Sequence, residues 1–116
     1  MELRSKEEDA EYELYAIQAE FCKGLAHPKR ILILNSLKEG EKTVNDLAEV
    51  TGIPQSNVSQ HLAILRQLGI LGKRREGLNI YYSITDARIV EACELVRETI
   101  RERIGRTNRL LKVTSR

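Results

Sequence analysis

From Thr43 to Gly69 the chain reads TVNDLAEVTGIPQSNVSQHLAILRQLG, and this stretch decides the fold. Ala48, Gly52 and Val58 stand four and then six residues apart, a spacing that suits two short helices packed across a tight turn. The small Ala48 lets the helices approach, Gly52 can take the left-handed conformation that ends the first, and Val58 faces inward from the second. Thr43 is placed to cap the first helix with Asp46 three residues on, a weaker relative of the capping box, and Leu47 and Val50 are expected to face the core. Pro54 opens the second helix, in which Val58, Leu62, Leu65 and Leu68 fall at intervals of four, three and three along one face. The other face is polar.

Helices are expected on both sides of this pair. From about Ser5 to Leu25, Leu14, Ile17, Phe21 and Leu25 recur at spacings of three, four and four, which marks an amphipathic first helix. Pro28 suits the first turn of a second helix running to Leu37, whose run Ile31, Leu32, Ile33 and Leu34 makes it the core helix, with Gly40 at its end. After Gly69, Ile70 to Arg74 and Asn79 to Ile84 have strand character and are joined by Arg75, Glu76, Gly77 and Leu78, a hairpin with a basic stem. A last helix begins at the N-cap Asp86 and carries Ile89, Cys93, Val96, Ile100 and Ile104 at spacings of four, three, four and four. That seam seeks a partner.

Composition sets the bounds. A length of 116 residues fits one domain, residues 1–116, and 41% hydrophobic with 31% charged residues and only two prolines describes a folded, helix-rich chain. With one Phe and no Trp, the core must be built from Leu, Ile and Val, which makes burial against a partner subunit valuable. No apolar run approaches the roughly 20 residues that span a bilayer, and the acidic start MELRSKEEDAEYELY lacks a secretion signal, so a cytoplasmic protein without a membrane role is expected. The net charge of +2 is too small to identify a nucleic-acid binder by itself, so distribution matters. Acidic residues crowd the beginning, while Lys73, Arg74 and Arg75 cluster in the hairpin and Arg101, Arg103, Arg106, Arg109, Lys112 and Arg116 decorate the tail.

A helical core, helix-turn-helix punctuation and a following hairpin together describe a winged helix, mainly α with a small β-hairpin. The runs Ala26-His27-Pro28-Lys29-Arg30-Ile31 and Val58-Ser59-Gln60-His61-Leu62, with Tyr81-Tyr82 before Ser83, resemble the ArsR/SmtB transcriptional regulators over nearly the whole chain. The resemblance implies a homodimer built on the first and last helices that binds a two-fold symmetric operator in double-stranded DNA and represses transcription until an effector loosens it.

The residues themselves support such a role. An α-helix fits the major groove, and hydroxyl and amide side chains can both donate to and accept from base edges there. Gln55, Ser56 and Ser59 are the strongest candidates for the groove-facing surface, with Asn57 and Gln60 beside them, and the helix N-terminus favours a phosphate. Lys73, Arg74 and Arg75 are expected to meet phosphates or the minor groove, adding affinity and salt dependence more than base choice. His61 either touches DNA or packs at the helix edge. Of Tyr81 and Tyr82, on opposite faces of a strand, one is expected to pack inward and the other to stay exposed.

Effector chemistry is harder to place. The first motif helix lacks the cysteines by which arsenic and cadmium sensors of the family bind. Where zinc sensors carry an aspartate and a histidine on the last helix, this chain has Asp86 followed by Arg88 and no later histidine pair, so no metal site and no cofactor are expected. Cys22 and Cys93 remain, either as a redox or thiophilic-ion pair or as small buried hydrophobes. The other functional class is a protein-interaction module that docks a protein in place of DNA. A catalytic role is not expected, since no phosphate loop, metal-binding helix motif or nucleophile and base pair occurs.

Overall fold

Seven elements follow this punctuation in the computed structural model, which describes residues 5–114 and the side chains through residue 111. They are α1 (Lys6–Leu25), α2 (Pro28–Leu37), α3 (Val44–Thr51), α4 (Gln55–Gln67), β1 (Leu71–Glu76), β2 (Asn79–Ile84) and α5 (Ala87–Thr114). Of the basic tail, the side chain of Lys112 and all of Arg116 lie outside the described residues. The chain divides into two units, one ending at Thr85 and the other, α5, beginning at Asp86.

The starts of α1 and α3 are closed by side chains. Ser5 Oγ accepts from the Glu8 amide at 3.0 Å while a Glu8 carboxylate oxygen accepts from the Ser5 amide. Thr43 and Asp46 form the same reciprocal arrangement at 3.1 and 3.2 Å, so Asp serves here as fully as the usual Glu or Gln. At the other end of α3, Gly52 adopts φ 76°, and its amide donates to the Ala48 carbonyl.

The core lies where α2, α3 and α4 pack on one another. Ile33, Leu47, Val58, Leu62 and Leu65 are completely excluded from water, and Leu34, Leu37, Ile53, Ile70 and Leu71 nearly so. Val50 does not join them: it is 62% exposed. α3 instead turns Leu47 and the half-buried Ala48 and Thr51 toward the body, and Thr51 donates its hydroxyl to the Leu47 carbonyl and accepts from the Ile53 amide as the chain leaves the helix. A residue three positions from Leu47 falls about 60° off that direction on an eight-residue helix, far enough to reach solvent.

β1 and β2 pair antiparallel from Leu71 opposite Ile84 to Glu76 opposite Asn79. The pairing runs two residues further than the sequence suggests, because Arg75 and Glu76 continue β1 and only Gly77 and Leu78 turn the chain. Lys42, just before α3, adds a bridge to Tyr82 through backbone bonds of 3.1 and 2.9 Å. The hairpin is thereby tied to the start of the helix-turn-helix.

α1 is buried only at its C-terminal end. Leu25 is buried and Phe21 half-buried, whereas Tyr12, Leu14, Tyr15 and Ile17 are each more than half exposed. Near the end of α1, a Cβ on Gly24 would lie 2.5 Å from a terminal methyl of Leu68, the residue that follows α4, so any side chain at Gly24 would require Leu68 to move.

In the second unit, Asp86 caps α5 by accepting from the Arg88 amide at 3.0 Å and also pairs with the Arg88 guanidinium, which together hold its carboxyl down at about 2. The apolar seam is bare along most of its length: Val96, Ile100 and Ile104 are at least half exposed. No described helix is long and apolar enough to cross a membrane.

Replacing Gly52 by Ala should lower stability by about 1–2 kcal/mol, the cost of placing a Cβ at positive φ. No atom crowds that position, so the loss would be of backbone origin. Urea unfolding measures it. An unchanged midpoint would mean that the turn can close without the left-handed conformation.

Candidate nucleic-acid interface

The period of α4 divides the helix into two faces of different chemistry. Val58, Leu62 and Leu65 point into the core, while Gln55, Ser56, Ser59 and Gln60 are exposed and Asn57 is half-buried. All five polar residues suggested by the sequence therefore gather on the first turn and a half of one helix. Pro54 supplies the N-cap and has no side chain to accept a hydrogen bond, so no side chain closes this helix start, unlike those of α1 and α3. The first amides of α4 remain available to an external anion.

His61 behaves differently from its neighbours. Its Nδ1 accepts from Arg30 Nε at 3.2 Å, and the same Arg30 donates through a second nitrogen to the Gly24 carbonyl at 2.6 Å. One guanidinium thus joins the end of α1, α2 and the middle of α4. The His27 ring lies 4.7 Å from that of His61, centroid to centroid, with its own Nδ1 accepting from the Lys29 amide. Burial first, then the charges of His27, Arg30 and Lys29, push the His61 imidazole below its ordinary value, so it is neutral with its proton on Nε2. Both δ nitrogens of the histidine pair are engaged, and among the described residues no group of three or more His, Cys, Asp or Glu is placed to hold a metal.

On the hairpin, strand alternation puts Lys73 and Arg75 on one face and Arg74 and Glu76 on the other. Lys73 and Arg75 are exposed, and Arg75 Nε donates to the Gly77 carbonyl at 3.2 Å. Arg74, equally exposed, is taken up by protein partners. Its Nε donates to both Glu41 oxygens at 3.1 and 2.9 Å, a second nitrogen also meets Glu41, and a third donates to Glu76 at 2.7 Å. Its carbon centre stands 4.8 Å from the Tyr81 ring centroid. Hydrogen bonding to Arg74 holds the Glu41 carboxyl below its usual range, and the Arg74 guanidinium is stabilised in its charged form.

Neither tyrosine follows the expected division into one buried and one exposed ring. Tyr81 and Tyr82 are both half-buried; the Arg74 guanidinium lies over the Tyr81 ring, and Tyr82 makes the backbone bridge to Lys42. Cys22 and Cys93 are free thiols, the first exposed on α1 and the second half-buried on α5. Glu41 was not singled out by the sequence, and Arg30 entered only within the run Ala26 to Ile31, with no role of its own. Their partners lie 33 and 31 residues away, beyond the reach of periodicity.

Residues 27–73, from the cap of α2 to the start of the hairpin, match the family model of the bacterial regulatory proteins of the arsR family. An uncharacterised HTH-type transcriptional regulator of Mycobacterium tuberculosis, Rv0081, is 41% identical over 88 residues, which are 75% of this chain and 77% of that protein. This chain belongs to the ArsR family. It is a DNA-binding transcriptional regulator, and the family and its relatives are transcriptional regulators, not enzymes. The crystal structure of Rv0081 superposes with a TM-score of 0.71 at 39% identity, covering 79% of this chain and 93% of that one. The transcriptional repressor PagR of Bacillus anthracis is 40% identical over 80 residues, 68% of this chain and 80% of PagR. A homodimeric winged helix-turn-helix DNA-binding domain from Mycobacterium bovis, Mb0332, matches with a TM-score of 0.74 at 30% identity, covering 91% of this chain and 95% of that one. ArsR-family winged helices bind DNA, and some form homodimers.

The state of His61 predicts a pH dependence. The unfolded chain takes up a proton near pH 6.5, while the folded protein resists it, so stability present above that pH should decline as pH falls through the lowered folded value. Urea unfolding between pH 7.5 and 5 should show a steeper loss for the native chain than for His61→Gln. Parallel pH profiles for the two proteins would contradict this.

Proposed function

We propose that the chain is a cytoplasmic, homodimeric repressor in which the first half of α4 lies in the major groove of an operator with two-fold symmetry. The observation that carries this reading is the polar run of exposed Gln55, Ser56, Ser59 and Gln60 with half-buried Asn57, at an N-terminus that no side chain closes. Gln55, Ser56 and Ser59 meet base edges, Asn57 and Gln60 support them, and the open amides of α4 receive a phosphate. Lys73 and Arg75, on the free face of the hairpin, grip the DNA backbone or the adjacent minor groove.

Residues 1–116 act as one winged-helix domain whose first and last helices make the dimer. In support, the apolar side chains Leu14 and Ile17 of α1 and Val96, Ile100 and Ile104 of α5 are exposed, and a second copy would remove them from water. Mb0332 is described as homodimeric, and PagR as a repressor. A dimer also brings two recognition helices to successive major grooves on one side of a duplex, which is why the operator is expected to be a near palindrome.

Ser59→Glu should reduce affinity for a duplex selected from a random pool by about tenfold to a hundredfold or more, given that one good base contact is worth about 1–3 kcal/mol. The dimer, followed by sedimentation, should persist. Native affinity in this variant would exclude α4 as the reading helix. Lys73→Ala and Arg75→Ala should each weaken binding to all duplexes and lower the log–log salt slope by about one. A loss confined to one base position would contradict their backbone role.

A further inference from the structure

We propose that Arg74 positions the wing through an anchor on Glu41, and that it is not one of the DNA-contacting cations. This deepens the reading of the hairpin as a DNA-gripping wing and rests on it. Three features set Arg74 apart from Lys73 and Arg75 in the same basic cluster. It points from the opposite face of β1. Its planar fork is filled by two carboxylates, Glu41 in a bidentate pair and Glu76 alongside, while the Tyr81 ring lies against it. Lys73 and Arg75 form no ion pair among the described residues, so theirs is the charge that the wing leaves free.

Local charge favours the same assignment. One guanidinium faces two carboxylates, so the trio of Arg74, Glu41 and Glu76 carries net negative charge, and the Arg74 charge is already balanced within the protein. Transferring Arg74 to a phosphate would leave Glu41 and Glu76 unpaired beside the DNA backbone, where like charge is penalised.

The anchor is placed to matter mechanically. Glu41 lies in the connector between α2 and α3, and its neighbour Lys42 makes the two backbone bonds to Tyr82. The next residue, Thr43, caps α3. The ion pair and the backbone bridge therefore fasten the wing at two adjacent points to the segment that begins the helix-turn-helix. Exposed ion pairs are weak when isolated, but a bidentate guanidinium shared between two carboxylates is the geometry in which they contribute.

Two substitutions separate the roles. Arg74→Lys keeps the charge that a phosphate would need and loses the fork that Glu41 needs. Glu41→Ala removes the anchor and leaves Arg74 free. Each should weaken binding to the selected duplex by about two- to fivefold, the order expected of an exposed ion pair, with the salt slope unchanged. In the free protein, the amides of Lys42 and Tyr82 should exchange faster with solvent in both variants. If Arg74 instead contacts phosphate, Arg74→Lys will bind nearly as the native chain does, while Glu41→Ala will bind more tightly with a steeper salt slope. Either result overturns the proposal, as would unchanged amide exchange. Failure of the native chain to bind any duplex would count against the operator reading itself, and amide exchange would still report whether the anchor holds the wing.

Discussion

Everything that α4 presents to solvent depends on what it buries. Val58, Leu62 and Leu65 are withdrawn completely from water where α2, α3 and α4 meet, and this fixes the rotation of the helix about its axis. A rotation of about 100°, one residue's worth, would bring Ser59 toward the core and a leucine toward solvent, at the cost of a buried hydroxyl and an exposed apolar side chain. Hydrophobic burial therefore does more here than stabilise the fold. It selects the polar face that can meet base edges, and the left-handed turn at Gly52 sets α3 behind that face as a brace.

A second layer of contacts links this face to the rest of the molecule. Gly24 lets the end of α1 approach Leu68, and Arg30 bonds at once to the Gly24 carbonyl and to His61 on α4. The helix with a bare apolar face at its N-terminal half is thus joined at its other end to α4. The hairpin has an equivalent attachment, because the Lys42 bridge and the Glu41 pair hold it to the start of α3. Both attachments join segments distant in sequence, and both use charged or polar groups at the margin of the core, where geometry is specified more sharply than by apolar packing alone.

The sequence made the helices legible because their signals are local. Apolar spacing, the caps at Thr43 and Asp86, and the glycine after α3 each act within a turn or two of the chain. The exposed polar run of α4 was legible for the same reason, as the complement of a clear apolar period. Errors arose where a residue's surroundings come from elsewhere. Val50 has the right spacing for the core, but α3 is short and its contacts favour Leu47 and Thr51. Arg75 and Glu76 look like turn residues, yet cross-strand pairing with Ile80 and Asn79 draws them into β1. The basic cluster showed three like charges without revealing that a glutamate 33 residues earlier occupies the middle one.

The first half of α4, with the free face of the wing, is the surface proposed to meet DNA. The most direct measurement is an NMR titration of the isotopically labelled chain with its selected duplex. The largest shifts are expected in the backbone and side-chain amides of residues 55–60, followed by those of residues 73–78. Shifts concentrated on α1 or α5, with residues 55–60 unmoved, would contradict the account.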